Sequence, residues 1–451
     1  MSDLVIYLHS ATSLHIEIRQ PAIGFFNANF SYKNVVSLSI PKSQNRQISK
    51  SAIDYFCRML KDQIKDLAKK YAPETIAIRH HIHANPELSY QEFKTSLFIQ
   101  EKLTAMGIPF QIMATTGVIG LIKGRNPGKK TIALRADMDA LPIQEENKVD
   151  YISTHKGIMH ACGHDVHTSI LLGAAKILNE LKTNWEGTIK LIFQPGEERN
   201  PGGASLLIKE GVLENPKPQA IFGLHVHPGL AEGKLSFREG KVMASADEIY
   251  ITIKGKGGHA ASPQVAADTI LIAAHLITAL QQVISRNRNP FDPSVLSITS
   301  FQGGHTTNVI PGEVKLMGTF RAMDETWRFK AHDIIRKIST ELVHSMGAEI
   351  DLHIDVGYPS VYNNEALNII AKDLARKFMG DENIETTELR MGAEDFGYYS
   401  QVIPGCFYRL GVMNEALGIV SGVHTPTFNI DENAIEKGMG MMAWLGAMTE
   451  I

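Results

Sequence analysis

Cys162 and His164 stand two residues apart in MHACGHDVHT, residues 159–168. In an extended loop, side chains two apart leave on the same side of the chain. A soft thiolate beside an imidazole suits a borderline or transition metal. A lone pair of this kind reads equally well as a buried structural cysteine with hydrogen-bonded histidines nearby. Here His160, Cys162, His164 and His167 fall together just ahead of a helical pattern, which favours the ligand reading.

QPGEE, residues 194–198, follows directly on the apolar run TIKLIF. Paired carboxylates at the carboxyl end of a strand lie where α/β sheets place their active sites. In extended chain, Glu197 and Glu198 would point to opposite sides, one to a metal and one to substrate or water. The alternative is a solvated Glu-Glu pair in a surface loop. GLHVHP, residues 223–228, puts His225 and His227 on one face of another strand end. His424 in GVHTPTF precedes Thr-Pro, a rigid turn that would hold an imidazole. Each histidine alone is more often structural. Thiolate, imidazoles and carboxylates together form a metal-site inventory. Asp137 and Asp139 in RADMDALP follow a further strand. They could orient a ligand histidine through its second ring nitrogen, or form a plain Asx turn before Pro142.

The elements that must position these groups alternate. TIALRAD, GTIKLIFQ and AIFGLHV are short buried strands, and HTSILLGAAKILNELK and GGASLLIKEGVL are helices. That alternation predicts an α/β sheet covered on both faces. Residues 1–50 form a strand-like extension with no assignable chemistry, and helical spacing begins near Ser51. The first part of the catalytic domain spans 51–245. Residues 246–360 read β-α-β-β-α-β, a ferredoxin-like unit inserted into the larger one, and 361–451 complete the catalytic domain.

A length of 451 residues suggests two or three folding units. With 44% hydrophobic and 21% charged residues, the composition is that of a soluble globular enzyme. A net charge of −3 gives no reason to expect nucleic acid or an anionic membrane as partner. Cys57, Cys162 and Cys406 are too few for a disulfide framework and suit a reducing compartment. No apolar run approaches the about 18 residues that span a bilayer. The first twenty residues lack a basic stretch and make a poor signal peptide. Cytoplasm is the expected location.

The set RHHIHANPELSYQE, RADMDALP, MHACGHDVH, QPGEE, GLHVHP, GGHAASP, NVIP and VHTPTF resembles the M20 metallopeptidase family. The likeness is strongest to its N-acyl-amino-acid amidohydrolases: hippurate hydrolases, auxin-conjugate hydrolases and N-acetyl-diaminopimelate deacetylases. It runs from about Gln63 to the C-terminus and includes the inserted unit. It implies a mixed-sheet, metallo-aminopeptidase-like α/β domain whose ferredoxin-like insert serves as lid and dimerisation surface.

By position, Cys162, His164, Glu198, His225 and His424 look like ligands of two divalent ions, zinc or manganese, with cobalt or nickel also compatible. Glu197 looks like the general base and Asp139 like the orienting aspartate. Asp137 falls where many relatives carry a metal-binding histidine. His259 resembles the lid histidine that polarises the scissile carbonyl, often across the dimer. Asn308 and Arg321 resemble the groups that hold the substrate carboxylate.

Three departures from the pattern stand out. Gly196 replaces the more usual Ala and would loosen the base's loop. Arg199, Asn200 and Pro201 replace a Gly-rich continuation. His305 stands where a small or hydroxylated residue is more common. The expected reaction is hydrolysis of an N-acyl amino acid to a carboxylic acid and a free amino acid. A dipeptidase or carboxypeptidase-like enzyme on the same scaffold is the alternative. A silent binding protein would have no need of the base, and a structural zinc site would be closed by its ligands.

Overall fold

The computed structural model describes Asp3–Leu8, Leu14–Arg19 and residues 45–450, with side chains from Tyr55 onward. The chain divides into two compact units, Met1–Asp62 and Gln63–Ile451. In the first, Asp3–Leu8 pairs antiparallel with Leu14–Arg19. The rest of the expected strand-like extension before Asn45 lies outside the described residues. The first long helix, Asn45–Ala84, starts ahead of Ser51.

The second unit is built on an eight-stranded mixed sheet. At its centre, Thr131–Asp137 runs parallel to Thr188–Gln194 on one side and to Ala220–Ala231 on the other. Gly405–Met413 continues the parallel set beyond Ala220–Ala231, while Gly117–Lys123 pairs antiparallel outside Thr188–Gln194. Every residue of Thr131–Asp137 and Thr188–Gln194 is buried. Burial on both faces is why these strands read as continuous apolar runs rather than alternating ones.

Helices His164–Glu180 and Asn433–Met448 cover one face. Leu134, Ile189 and Leu178 meet there at Gly446. The other face packs Ala133, Ile192, Ile221 and Phe407 against Leu207, Phe396 and Tyr399. The period-two alternation of strand side chains produces this split.

A second, four-stranded antiparallel sheet has the order Ser294–Gln302, Glu313–Ala322, Asp247–Lys254, Glu349–Val356. Helices Thr269–Gln282 and Glu325–Ser345 complete a β-α-β-β-α-β unit with its own core of Ile249, Ile251, Leu276, Phe320 and Ile335. Against expectation, one helical stretch, Thr269–Asn287, is long and apolar enough by composition to cross a membrane. Its buried residues Ile272, Ala273, Leu276, Leu280 and Val283 recur at helical spacing and pack into that core.

Candidate metal centre

Four elements deliver the site. The Thr188–Gln194 strand leads into Pro195, Gly196, Glu197 and Glu198. His164 is the first residue of the His164–Glu180 helix, so Cys162 and His164 do not share one extended loop as the spacing had suggested. Gly163 between them has φ 89°, and a Cβ there would meet Val226 at 2.5 Å. Only glycine fits that bend. His225 lies within the Ala220–Ala231 strand. His424 arrives from a distant loop, its own N–H donating to the Ala161 carbonyl at 2.7 Å.

These groups converge. Cys162 Sγ lies 3.5 Å from His225 Nε2 and 3.3 Å from His424 Nε2. Glu198 Oε1 is 3.3 Å from His424 Nε2 and 3.9 Å from His164 Nε2. Candidate ligand atoms form one triplet of Cys162, His164 and His225 and another of Cys162, Glu198 and His424. Glu197 reaches the cluster as well, 4.0 Å from His164 Nε2. The Glu pair sits in a turn, and both carboxylates approach the same imidazole rather than facing opposite sides.

The donor chemistry fits divalent ions. His164 gives its Nδ1–H to Asp139, at 3.0 Å from the backbone oxygen and 3.2 Å from Oδ1. That leaves Nε2 buried without a hydrogen-bond partner, and Glu198 Oε1 is orphaned in the same way. Buried polar atoms without partners are costly unless a ligand completes them. His225 donates Nδ1–H to the Val226 carbonyl at 2.7 Å, and burial holds its pKa well down, so Nε2 carries a lone pair. His167 belongs to another triplet with Asp137 and His164, but both its nitrogens are used. Nδ1 donates to Asp137 at 2.6 Å and Nε2 accepts the Val226 N–H at 2.9 Å. It is a brace, not a ligand. Asp137 therefore orients His167, while Asp139 orients His164.

Asp139 is the fastener of the loop that carries Glu197 and Glu198. Its carboxylate accepts the N–H of Glu197 at 3.1 Å, the N–H of Glu198 at 3.0 Å and the Ser89 hydroxyl at 2.6 Å. Burial would raise its pKa, but these bonds and His164 hold it below the usual value. Gly196 does not loosen this loop. It has φ 57°, its N–H donates to Glu92 at 2.8 Å, and a Cβ would strike the Tyr90 ring at 2.2 Å. Asp139→Asn would set an amide NH₂ against a backbone N–H. It is expected to weaken metal binding about 10–100-fold, read by competition with a chelator. Unchanged affinity would remove Asp139 from this role.

The electrostatics couple metal and protons. Burial lowers the His164 pKa, but Asp137, Asp139 and Glu198 outweigh it and carry it to about 10. Burial, then Glu198 and Glu197, push the Cys162 thiol well up. Without a cation, both groups hold their protons at neutral pH. Loading should therefore release one proton from each, and affinity should rise with pH. A loading constant that stays flat between about pH 6 and about pH 8 would contradict these protonation states.

Comparison with known proteins places the chain. The profile described as "Peptidase family M20/M25/M40" matches residues 133–445. The chain belongs to the M20 peptidase family. It is 42% identical over 376 residues to "IAA-amino acid hydrolase ILR1-like 5" of Arabidopsis thaliana, covering 82% of this chain and 85% of that one. It is 42% identical over 306 residues to an "N-acyl-L-amino acid amidohydrolase" of Geobacillus stearothermophilus, covering 68% and 82%. A solved Bacillus subtilis protein described as a dinuclear metal-binding peptidase of the M20 family superposes with a TM-score of 0.73 at 34% identity, covering 84% and 98%. This M20 chain is a metal-dependent hydrolase acting on amides.

Cys162, His164, Glu198, His225, His424, Glu197 and Asp139 thus gather at one point of the M20 scaffold. His259 and Asn308 lie elsewhere, at a two-stranded ribbon of the inserted unit in which His259 pairs with Val309, the residue after Asn308. There the Ala260 N–H donates to the Asn308 carbonyl at 3.0 Å and the Ala261 N–H to His259 Nδ1 at 3.1 Å. Among the described residues, neither side chain bonds to the cluster. Arg321 Nη1 turns to Thr319 Oγ1, to the Phe320 carbonyl and, at 3.5 Å, to the Asp247 carbonyl.

Sequence reading missed the layer beneath. Arg135, fully buried, binds Asp137, Gln194, Glu394 and Asp395. Glu394 and Asp395 in MGAEDF lie within reach of Glu197, whose Oε1 accepts the Asp395 N–H at 3.4 Å. Another Glu-Asp pair just ahead of a short helix was the available signal. Tyr358 also went unread, yet its hydroxyl donates to the Glu197 carbonyl at 2.5 Å.

Proposed function

We propose that this chain hydrolyses the amide bond of N-acyl amino acids, releasing a carboxylic acid and a free amino acid. One observation carries the reading. Glu197, a buried carboxylate outside the two sulfur-sharing triplets, stands against the ligand cluster. The names of the two amidohydrolase relatives support the substrate class. Cys162, His164, Glu198, His225 and His424 would hold the divalent ions, which would supply Lewis acidity for the substrate carbonyl and a bound water.

Glu197 does the proton work. Burial and the neighbouring charges of Glu394, Glu198, Asp395 and Asp139 push its pKa well up, so its carboxylate holds a proton more strongly than an exposed one. It takes the proton of the attacking water and delivers it to the departing amine nitrogen. Beside Glu198 and Arg199 opens a cleft of about 220 Å³, walled by Leu88, Ala140, Leu141 and Pro142. Its apolar wall suits an acyl chain or aroyl ring.

We assign zinc first and manganese second, because a thiolate ligand favours the softer ion. The compartment is the cytoplasm, where a buried thiolate ligand stays reduced. His259 is exposed within one chain, and we assign it to the site of a second copy in a homodimer. A fully active monomer in sedimentation would remove that assignment. The deciding experiment is a screen of N-acetyl and N-benzoyl amino acids against simple dipeptides, on stripped protein refilled with each ion. Faster cleavage of the dipeptides would overturn the reading in favour of a peptidase.

A further inference from the structure

Four arginines of the described chain are buried: Arg79, Arg135, Arg328 and Arg409. The first three are each paired with carboxylates. Arg79 meets Asp165 and Glu432, Arg135 meets Asp137, Glu394 and Asp395, and Arg328 meets Asp247 and Glu325. Arg409 is the exception. It is 3% exposed, and among the described residues no carboxylate lies within ion-pair distance of it. Its Nη2 donates to Met243 Sδ at 2.8 Å, its plane lies over the Phe407 ring, and its Nε is buried without a partner. An unpaired buried cation is among the costliest arrangements a fold can hold.

A second unpaired cation stands beside it. Arg390 forms an isolated backbone bridge with Met243, the residue whose sulfur accepts from Arg409. Arg390 is exposed, and among the described residues it too lacks an ion pair. Its Nη2 donates to His227, 3.2 Å from Nδ1.

This corner adjoins the metal centre. Arg409 is the register partner of His225 across the two parallel strands, and His227 pairs with Gly411 two positions on. Arg321, whose Nη1 is already engaged within its own sheet, offers a less open fork.

We propose that Arg390, Arg409 and His227 form a carboxylate-binding corner beside the metal centre, and that this corner seats a carboxylate of the substrate. The inference rests on the N-acyl amino acid reading and sharpens it. The anion completes the bonding of Arg409, and Arg390 supplies the planar fork that grips it. The carboxylate is either the α-carboxylate of the amino acid or a second one on its side chain. Both present the same chemistry to the corner.

The test compares holoenzyme and Arg390→Gln on two matched pairs: N-benzoylglycine with its amide, and N-acetylglutamate with N-acetylglutamine. The ratio of kcat/KM for charged over neutral substrate is expected to fall about tenfold or more, through KM. A fall in the first pair identifies the α-carboxylate, and a fall in the second pair alone identifies a side-chain carboxylate. Arg409→Lys, which keeps the charge but not the fork, should reproduce part of the shift. Ratios unchanged in both pairs would overturn the proposal. If the wild type cleaves none of the four, the functional reading fails and the corner is judged by binding. Stabilisation by benzoate or glutarate in thermal melts should then be weaker in Arg390→Gln, and equal stabilisation overturns the corner.

Discussion

Glu197→Gln is expected to lower turnover by about 10²–10⁴-fold while the protein keeps its metal and its fold. The change is isosteric, so the 3.4 Å bond from the Asp395 N–H to the side-chain oxygen can persist. The Tyr358 bond and the Asp139 fastener both act on the backbone and are untouched. The substitution also removes a buried carboxyl whose ionisation is opposed by burial and by Glu394, Glu198, Asp395 and Asp139. The thermal midpoint should therefore hold or rise while kcat falls. Metal analysis, melting and steady-state kinetics on one preparation read all three. Near-wild-type turnover, or an empty site, would take the base role away from Glu197.

Arg135→Met should be the most damaging single change to stability. The guanidinium answers Asp137, Glu394 and Asp395 from a position with no solvent access. Even with Arg135 in place, burial leaves the Asp395 pKa at about 8. Taking one partner from a buried ionic cluster typically costs about 3–5 kcal/mol. Here several carboxylates would be stranded at once, beneath the loop that carries Glu197. Urea unfolding of the variant, or its soluble yield if it fails to fold, measures the loss. A shift of less than about 1 kcal/mol would show that these carboxylates are compensated by other means.

The candidate ligand cluster was readable because most of the residues gathered there sit beside a local signal. Glu197 and Glu198 follow an apolar strand, His424 precedes Thr-Pro, and Cys162 and His164 open a helix. The inserted unit was readable because its strands alternate and its helices keep their spacing. Arg135 was not, since its partners Glu394 and Asp395 lie far along the chain and nothing inside the buried run TIALRAD points to them. Arg390 and Arg409 were missed for a related reason. Their shared neighbour, Met243, lies 147 and 166 residues earlier in the chain, and no periodicity links such positions. The local geometry of the Glu pair was misjudged because extended chain was assumed where Gly196 makes a left-handed turn. The extension's chemistry stayed blank, as its composition implied nothing specific.

Tyr358 has a mechanical meaning beyond its single hydrogen bond. It stands just past Gly357 and the last strand of the inserted unit, and its carbonyl accepts the N–H of Ala246, just before the first strand. Both connectors are locked by Asp247, which grips Arg328 and His332, while Arg328 also donates to the Gly357 carbonyl at 3.0 Å. The inserted unit and the peptide of Glu197 thus share one bearing. Any displacement of that unit about its two connectors would therefore pull on the Glu197 carbonyl. Tyr358 is the coupling pin between the inserted unit and the Glu197 peptide.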